Sequence, residues 1–277
     1  MAETDLNSDR TINISKSSTK KPGTRILTVK EAFRLTPNMI RITFAGPELE
    51  GIPAERVGGN CKILLPGSNQ SREAFAQQLE SGPKPVTRTY TVRAVRQEVL
   101  EMDIDFVAHG IEGPASQWAL SAKPGDFCGF RGPSPAKVLE FSADWYLIAA
   151  DPSALPVASV ALEMMPRDAK GVAVFEITTP EDKQDIDAPE GITFHWLMHE
   201  DPHRPSKQQE TFIRQLEFPE GRIQTCVAGE SGVIRSLRAF LNNEKKLPRS
   251  DTYISGYWKI GLIEDEHQKV KKIETAD

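Results

Sequence analysis

Between positions 88 and 93 the chain reads Arg88-Thr89-Tyr90-Thr91-Val92-Arg93. On a β-strand Arg88, Tyr90 and Val92 point one way and Thr89, Thr91 and Arg93 the other. A phenol ring to lie against a flat heterocycle, a hydroxyl for its edge and guanidinium groups for a phosphate suit a flavin or nucleotide seat. The same residues also describe a plain strand with a cross-strand tyrosine and solvated arginines. A second cluster, Asp105-Phe106-Val107-Ala108-His109-Gly110, precedes Gly113-Pro114-Ala115-Ser116 and Trp118. Gly-Pro at a helix start leaves backbone N–H groups open to an anion such as a pyrophosphate, and Ser116 adds a hydroxyl. His109 has no second His or Cys at ligand spacing. His195, His199 and His203 are four apart, but TFHWLM reads as a strand and DPHRP as a loop, so they do not converge on a metal.

These residues need scaffolds, and the flanking sequence supplies two. From Arg25 onward, short β-type runs (RILTVKEAFRL, MIRITFAG, CKILLPG, RTYTVRAV, VLEMDIDFVAH, FCGFRG) alternate with Pro, Gly and Asn turns, the texture of a sandwich or barrel. One short helix, GPASQWALSA, is the expected exception. After Ala136 strand and helix alternate: DWYLIAAD, then PSALPVASVALEMMP, and so on to the closing DTYISGYW. That is the signature of a parallel sheet wrapped by helices, with ligands at the carboxyl ends of its strands.

A length of 277 residues suits two domains. The expected division is a disordered segment 1–22, a barrel domain 23–138, an α/β domain 139–262 and a charged tail 263–277. At 39% hydrophobic and 26% charged the composition is that of a folded protein. No 18-residue apolar run or secretory leader is present, so a cytoplasmic location is the default. Cys61, Cys128 and Cys226 are scattered and odd in number, hence small buried hydrophobes rather than a disulfide framework. Residues 1–138 carry 18 Lys and Arg against 15 Asp and Glu, whereas 139–277 carry 16 against 24. The positive first half is where a small anion belongs, and the balance is too weakly basic for nucleic acid.

RTYTVR, DFVAHG with GPASQWA, KPGDFCGFRGPSP, DWYLIAADPSALPVASVALEMMP, AGESGVIRSLRAFL and SGYWKIG, in this order, resemble the siderophore-interacting protein family, FAD-dependent ferric-siderophore reductases. The resemblance runs from about Arg25 to Gly261. It implies a ferredoxin-reductase-like architecture, an antiparallel FAD-binding β-barrel followed by a parallel-sheet α/β domain. Carried over, it puts Arg88, Thr89, Tyr90, Thr91 and Arg93 around the flavin, with Thr91 at the reactive edge. Asp105, Phe106, Val107 and His109 line the adjacent strand and loop, Gly113, Ala115 and Ser116 hold the pyrophosphate, and Asp151, Ser153 and Ala154 border the ring from the second domain. Trp258 stacks on FAD or simply packs at a strand end.

The implied substrate is a ferric siderophore, bound by a monomer. Lys62, Arg131 and Lys259, on strands or strand ends beside the flavin seat, are the candidate cations for an anionic chelate. The donor is NAD(P)H or a ferredoxin. The Gly-rich turn that admits a nicotinamide dinucleotide in the wider superfamily is replaced by Ala149-Ala150-Asp151-Pro152-Ser153-Ala154-Leu155-Pro156, without glycine. The turn Gly229-Glu230-Ser231-Gly232 is the remaining candidate for a nucleotide contact. A siderophore carrier without turnover and a general flavin reductase or diaphorase are the alternatives.

Overall fold

The computed structural model describes residues 23–108, 113–136, 138 and 140–262. The expected N-terminal segment, the tail 263–277 and His109 lie outside the described residues. β1 (Arg25–Thr36), β2 (Met39–Ala45), β3 (Asn60–Leu64), β4 (Thr87–Arg96), β5 (Glu101–Val107) and β6 (Phe127–Arg131) form a closed antiparallel barrel in the order β1-β2-β5-β4-β3-β6. Alternation along each strand sends one set of side chains inward, so Ile42, Phe44, Ile63, Val92, Met102, Ile104, Phe106 and Phe130 fill the interior. Closure removes the unpaired edges that six open strands would expose.

The barrel half holds a second helix as well as the expected one, which corrects the reading of a single helical exception. α1 (Arg72–Ser81) leaves β3 and is capped by Ser71, whose hydroxyl accepts from the Ala74 N–H at 3.2 Å. Its one buried anchor, Phe75, lies over Gly129 of β6, where a Cβ would stand 2.9 Å from that of Leu64 and 3.4 Å from the Phe75 ring. A single buried apolar residue gives too weak a stripe for periodicity to register. The expected helix is α2 (Pro114–Ser121).

The second half is a parallel sheet of β7 (Trp145–Ala150), β8 (Lys170–Ile177), β9 (Gly191–Met198), β10 (Ile223–Glu230) and β11 (Thr252–Trp258), in the order β11-β10-β7-β8-β9. α3 (Leu155–Met164) covers one face, while α4 (Gln208–Gln215) and α5 (Ser231–Ala239) cover the other. β7 and β10 are neighbours although the chain leaves β7 in the opposite direction, so the strand order reverses between them and opens a crevice at their carboxyl ends. The barrel meets the α3 side of the sheet. Met39 joins the core under α3, and Leu35 and Val107 pack against it. The three cysteines are buried thiols, and burial pushes those of Cys61 and Cys226 up to about 12.

Candidate active site

β4 carries Arg88, Thr89, Tyr90, Thr91 and Arg93 between β3 and β5. The Tyr90 ring lies 4.3 Å from that of Phe106, which lies 5.8 Å from Trp118, so a chain of tilted ring contacts roots the tyrosine in the barrel. Thr91 faces the other way and is buried. The register with β5 slips between Val92 and Ala94, and this bulge re-aims Arg93 toward the second half. There its Nη1 donates to Glu163 Oε2 at 2.8 Å and its Nη2 to Oε1, on α3. Its Nε is buried without a hydrogen-bond partner, 3.9 Å from Asp105 Oδ2. Asp105 is engaged by Arg41, whose Nε and Nη2 donate at 2.7 and 2.8 Å. It therefore orders the arginines around β4, while Phe106 supports Tyr90 and Val107 joins the core between the halves.

At the start of α2, Gly113 is the N-cap and, as a glycine, supplies no side-chain cap of its own. The first helical bond runs from the Gln117 N–H to the Gly113 carbonyl at 2.9 Å. Ala115 and Ser116, both buried, lie in this first turn, where backbone N–H groups and the helix dipole favour an anion.

In the second half, Asp151 directly follows β7. Its Oδ1 accepts from the Ser153 N–H at 2.9 Å and the Ser153 hydroxyl at 2.6 Å, and its Oδ2 from Trp258 Nε1 at 2.7 Å. Burial pushes the Asp151 carboxyl above its usual range, with nearby Glu176 acting in the same direction, against the pull of these donors. Its main-chain oxygen accepts from the N–H groups of Ala154 and Leu155 at 3.0 Å each, starting α3. Gly229 has φ +152°, and a Cβ there would lie 2.7 Å from Asp151 Oδ2, so glycine lets the carboxylate sit against β10.

Asp151, Glu176, His199, Arg204, Glu230 and Trp258 line a shallow cleft at the strand ends. Its helix starts are taken by the protein's own carboxylates. Glu230 Oε2 accepts from the N–H groups of Gly232 and Val233 at 2.6 and 3.1 Å, closing α5. Glu176 Oε1 accepts from the Ser206 hydroxyl at 2.5 Å and the Gln209 N–H at 3.3 Å, closing α4. The Gly229-Glu230-Ser231-Gly232 turn is thus filled from within. The spaced histidines diverge: His195 packs on Phe212 and His199 bonds to the Arg204 carbonyl.

Residues 28–137 match the siderophore-interacting FAD-binding domain and residues 143–261 the siderophore-interacting protein family. The chain belongs to the siderophore-interacting protein family. Ferric vibriobactin reductase ViuB of Vibrio cholerae serotype O1 is 35% identical over 258 residues, covering 90% of this chain and 94% of that protein. The crystal structure of the siderophore-interacting protein SipS from Aeromonas hydrophila has a TM-score of 0.79 at 32% identity, covering 92% of this chain and 99% of that one. Ferredoxin-NADP+ reductase from Plasmodium falciparum shares the fold at a TM-score of 0.59 and 12% identity, covering 84% of this chain and 96% of that one. The barrel and parallel sheet are the ferredoxin-reductase-like architecture.

The α2 terminus fits the FAD that this family's barrel domain binds. Its N-cap is a glycine and its Trp118 meets Phe106 of the barrel, whereas carboxylates occupy the starts of α4 and α5. Lys62 of β3 stands directly opposite Arg131 of β6 in the antiparallel register. Like charges so placed repel, at a cost of about 0.2–1 kcal/mol, which an anionic ligand would reverse. Lys62 Nζ donates to Thr89 Oγ1, tying the pair to β4. Arg131 Nε donates to Thr24 Oγ1 at 2.6 Å. Lys259 follows Trp258, in a turn closed by the Leu262 N–H on its carbonyl at 3.1 Å.

Several residues of this site escape the sequence. Glu163, Arg41 and Glu176 act across long chain separations and leave no local signal.

Proposed function

We propose that this protein reduces iron(III) held in a siderophore, using FAD seated between the barrel and the parallel sheet. The observation that carries this reading is the glycine-capped α2 start beside the Tyr90, Phe106 and Trp118 ring cluster, in a chain whose relatives are named ferric reductases. It is an FAD-dependent oxidoreductase. When bound, FAD supplies the redox chemistry, taking up two electrons and releasing them singly. The chain's own residues bind and orient. Ala115 and Ser116 receive the pyrophosphate, and Arg88 and Thr89 flank the ring. Tyr90 and Thr91 meet the ring, and Asp151, Ser153, Ala154 and Trp258 close it from the second half. Iron(II) binds hard oxygen chelators less tightly than iron(III), so reduction releases it.

Lys62, Arg131 and Lys259 dock the anionic chelate. Replacing all three by Ala is expected to raise KM for a ferric catecholate about tenfold, with kcat nearly unchanged, since partly exposed charge contacts contribute roughly 0.2–1 kcal/mol each. A KM equal to that of the parent protein would remove this assignment.

The donor in this reading is a ferredoxin-type protein rather than NADH or NADPH. Dinucleotide phosphates bind at open helix starts, and here Glu176 and Glu230 already occupy those of α4 and α5, with Asp151 between them. Stopped-flow bleaching of the flavin should be fast with reduced ferredoxin and slow with either dinucleotide. Rapid saturable bleaching by NADPH at micromolar concentration would reverse the choice. In the same reading the barrel unit spans 23–138 and the donor unit 139–262, and the protein works as a cytoplasmic monomer. Among the described residues no helix is long and apolar enough to cross a membrane.

A further inference from the structure

Arg93 follows Thr91 by two residues on β4, about 7 Å along the strand from the residue proposed to meet the flavin ring. Its side chain is only 13% exposed, so water and salt screen its charge poorly. Both terminal nitrogens nevertheless turn to Glu163 on α3, Nη1 donating to Oε2 at 2.8 Å and Nη2 to Oε1. The fold fixes this approach. Val160, three residues before Glu163, packs on Gly58, where a Cβ would stand 3.0 Å from Val160 Cγ1. The Gly58 N–H donates to the Val92 carbonyl at 2.8 Å and the Val92 N–H to the Gly59 carbonyl at 2.9 Å, beside Arg93 itself.

Two arginines and two carboxylates meet at this point. Arg41 takes both oxygens of Asp105, and Glu163 takes both terminal nitrogens of Arg93, so these four side chains sum to zero charge. Without Glu163 they carry one positive charge, however the guanidinium then turns. Asp105 Oδ2, 3.9 Å from Arg93 Nε, is already spent on Arg41. Two electrons and one proton entering the flavin leave it with one added negative charge. A cation close by would stabilise that charge and make FAD a weaker reductant. Hard oxygen chelators favour iron(III), so the iron they hold yields only to a strong one.

We propose that Glu163 is a positioning residue that, acting through Arg93, denies the reduced flavin a counter-ion and keeps it strongly reducing. The proposal rests on the seating of FAD against β4.

The test is a redox titration of FAD-loaded protein followed by flavin absorbance. Unit charges about 10 Å apart, at an effective dielectric constant of about 20, shift an equilibrium on the order of tenfold. Glu163→Gln should therefore raise the ratio of reduced to oxidised FAD at a fixed applied potential by about that factor. Glu163→Asp keeps the charge and should keep the parent ratio. Arg93→Met should lower the ratio, by less, because the Glu163 left behind is 30% exposed and better screened. The double variant Arg93→Met, Glu163→Gln is neutral again and should return to the parent ratio, which a merely structural defect would not do. If Glu163→Gln fails to retain FAD, the fall in Arg93→Met decides the matter. If Thr91→Val moves the ratio but neither charge variant does, the role of Glu163 is refuted while the flavin seat stands. If Thr91→Val moves nothing either, the seat on β4 is itself wrong.

Discussion

Gly113→Asp should leave the protein folded and strip it of FAD. Gly113 is the N-cap of α2 at φ −93° and ψ 129°, extended backbone that any residue adopts, so no glycine conformation is lost. Aspartate is among the preferred N-caps, and its carboxylate would accept from the N–H groups of the first turn, as Glu230 does at α5. The helix gains a few tenths of a kcal/mol from that exchange. The pyrophosphate loses hydrogen bonds worth about 1.5–3 kcal/mol each and meets a like charge where it had a helix dipole. Two such bonds correspond to an affinity loss on the order of a hundredfold or more. Flavin content after purification and FAD titration of the stripped protein measure the loss, and thermal melting of the stripped protein should show an unchanged or slightly raised midpoint. Gly113→Asn supplies a cap without the charge and should retain much more FAD. A Gly113→Asp protein that binds FAD like the parent would place the pyrophosphate elsewhere.

The contrast between α2 and α5 also shows what the sequence could and could not tell. Gly-Pro before α2 and Gly-Glu-Ser-Gly before α5 look alike as strings, both glycine turns at a helix start. They differ in one side chain that folds back. Glu230, the N-cap of α5, fills its own turn, whereas the N-cap of α2 is Gly113, which has no side chain to do the same. The barrel and the alternating half were legible because period-two runs and apolar strand–helix alternation are local patterns, and those patterns also placed β4 and α2. α1 was not legible, because Phe75 is its only buried residue and its Ser71 cap resembles any polar turn. Arg93 was legible as a charge but not as a contact. The β4 bulge and the 70-residue separation from Glu163 decide where its guanidinium goes, and neither is written in the neighbouring residues. The candidate site was therefore visible as a set of residue types on named strands, whereas the ion pairs that aim them came only with the tertiary fold.

Asp182→Ala should cost about 3 kcal/mol or more at neutral pH, a large share of the roughly 5–15 kcal/mol that holds a domain folded. Asp182 is buried in the turn after β8, where it forms a capping box with Thr179. From there it reaches the turn between β1 and β2. Its Oδ1 accepts from the Thr36 hydroxyl and the Asn38 N–H, both at 2.9 Å. Its Oδ2 accepts from Asn38 Nδ2 at 2.8 Å and from the Thr179 N–H at 2.9 Å and hydroxyl at 3.2 Å. Truncation leaves these donors without their acceptor at the junction of the two halves. Burial by itself would raise the Asp182 carboxyl, but the donors from Asn38, Thr179 and Thr36 outweigh it and hold the group below its ordinary range. A carboxylate depressed in the folded state stabilises above its unfolded pKa of about 3.9, and that stabilisation fades as pH falls through the folded value. Urea unfolding of parent and variant should therefore show the full gap at pH 7 and a narrower one at about pH 3. Because Leu35, Met39 and Val107 meet the second core beside this clamp, FAD affinity should fall in the variant as well. An equal gap at both pH values would show that the charge of Asp182 is not what joins the halves. No gap at pH 7 would show that the clamp is not holding them at all.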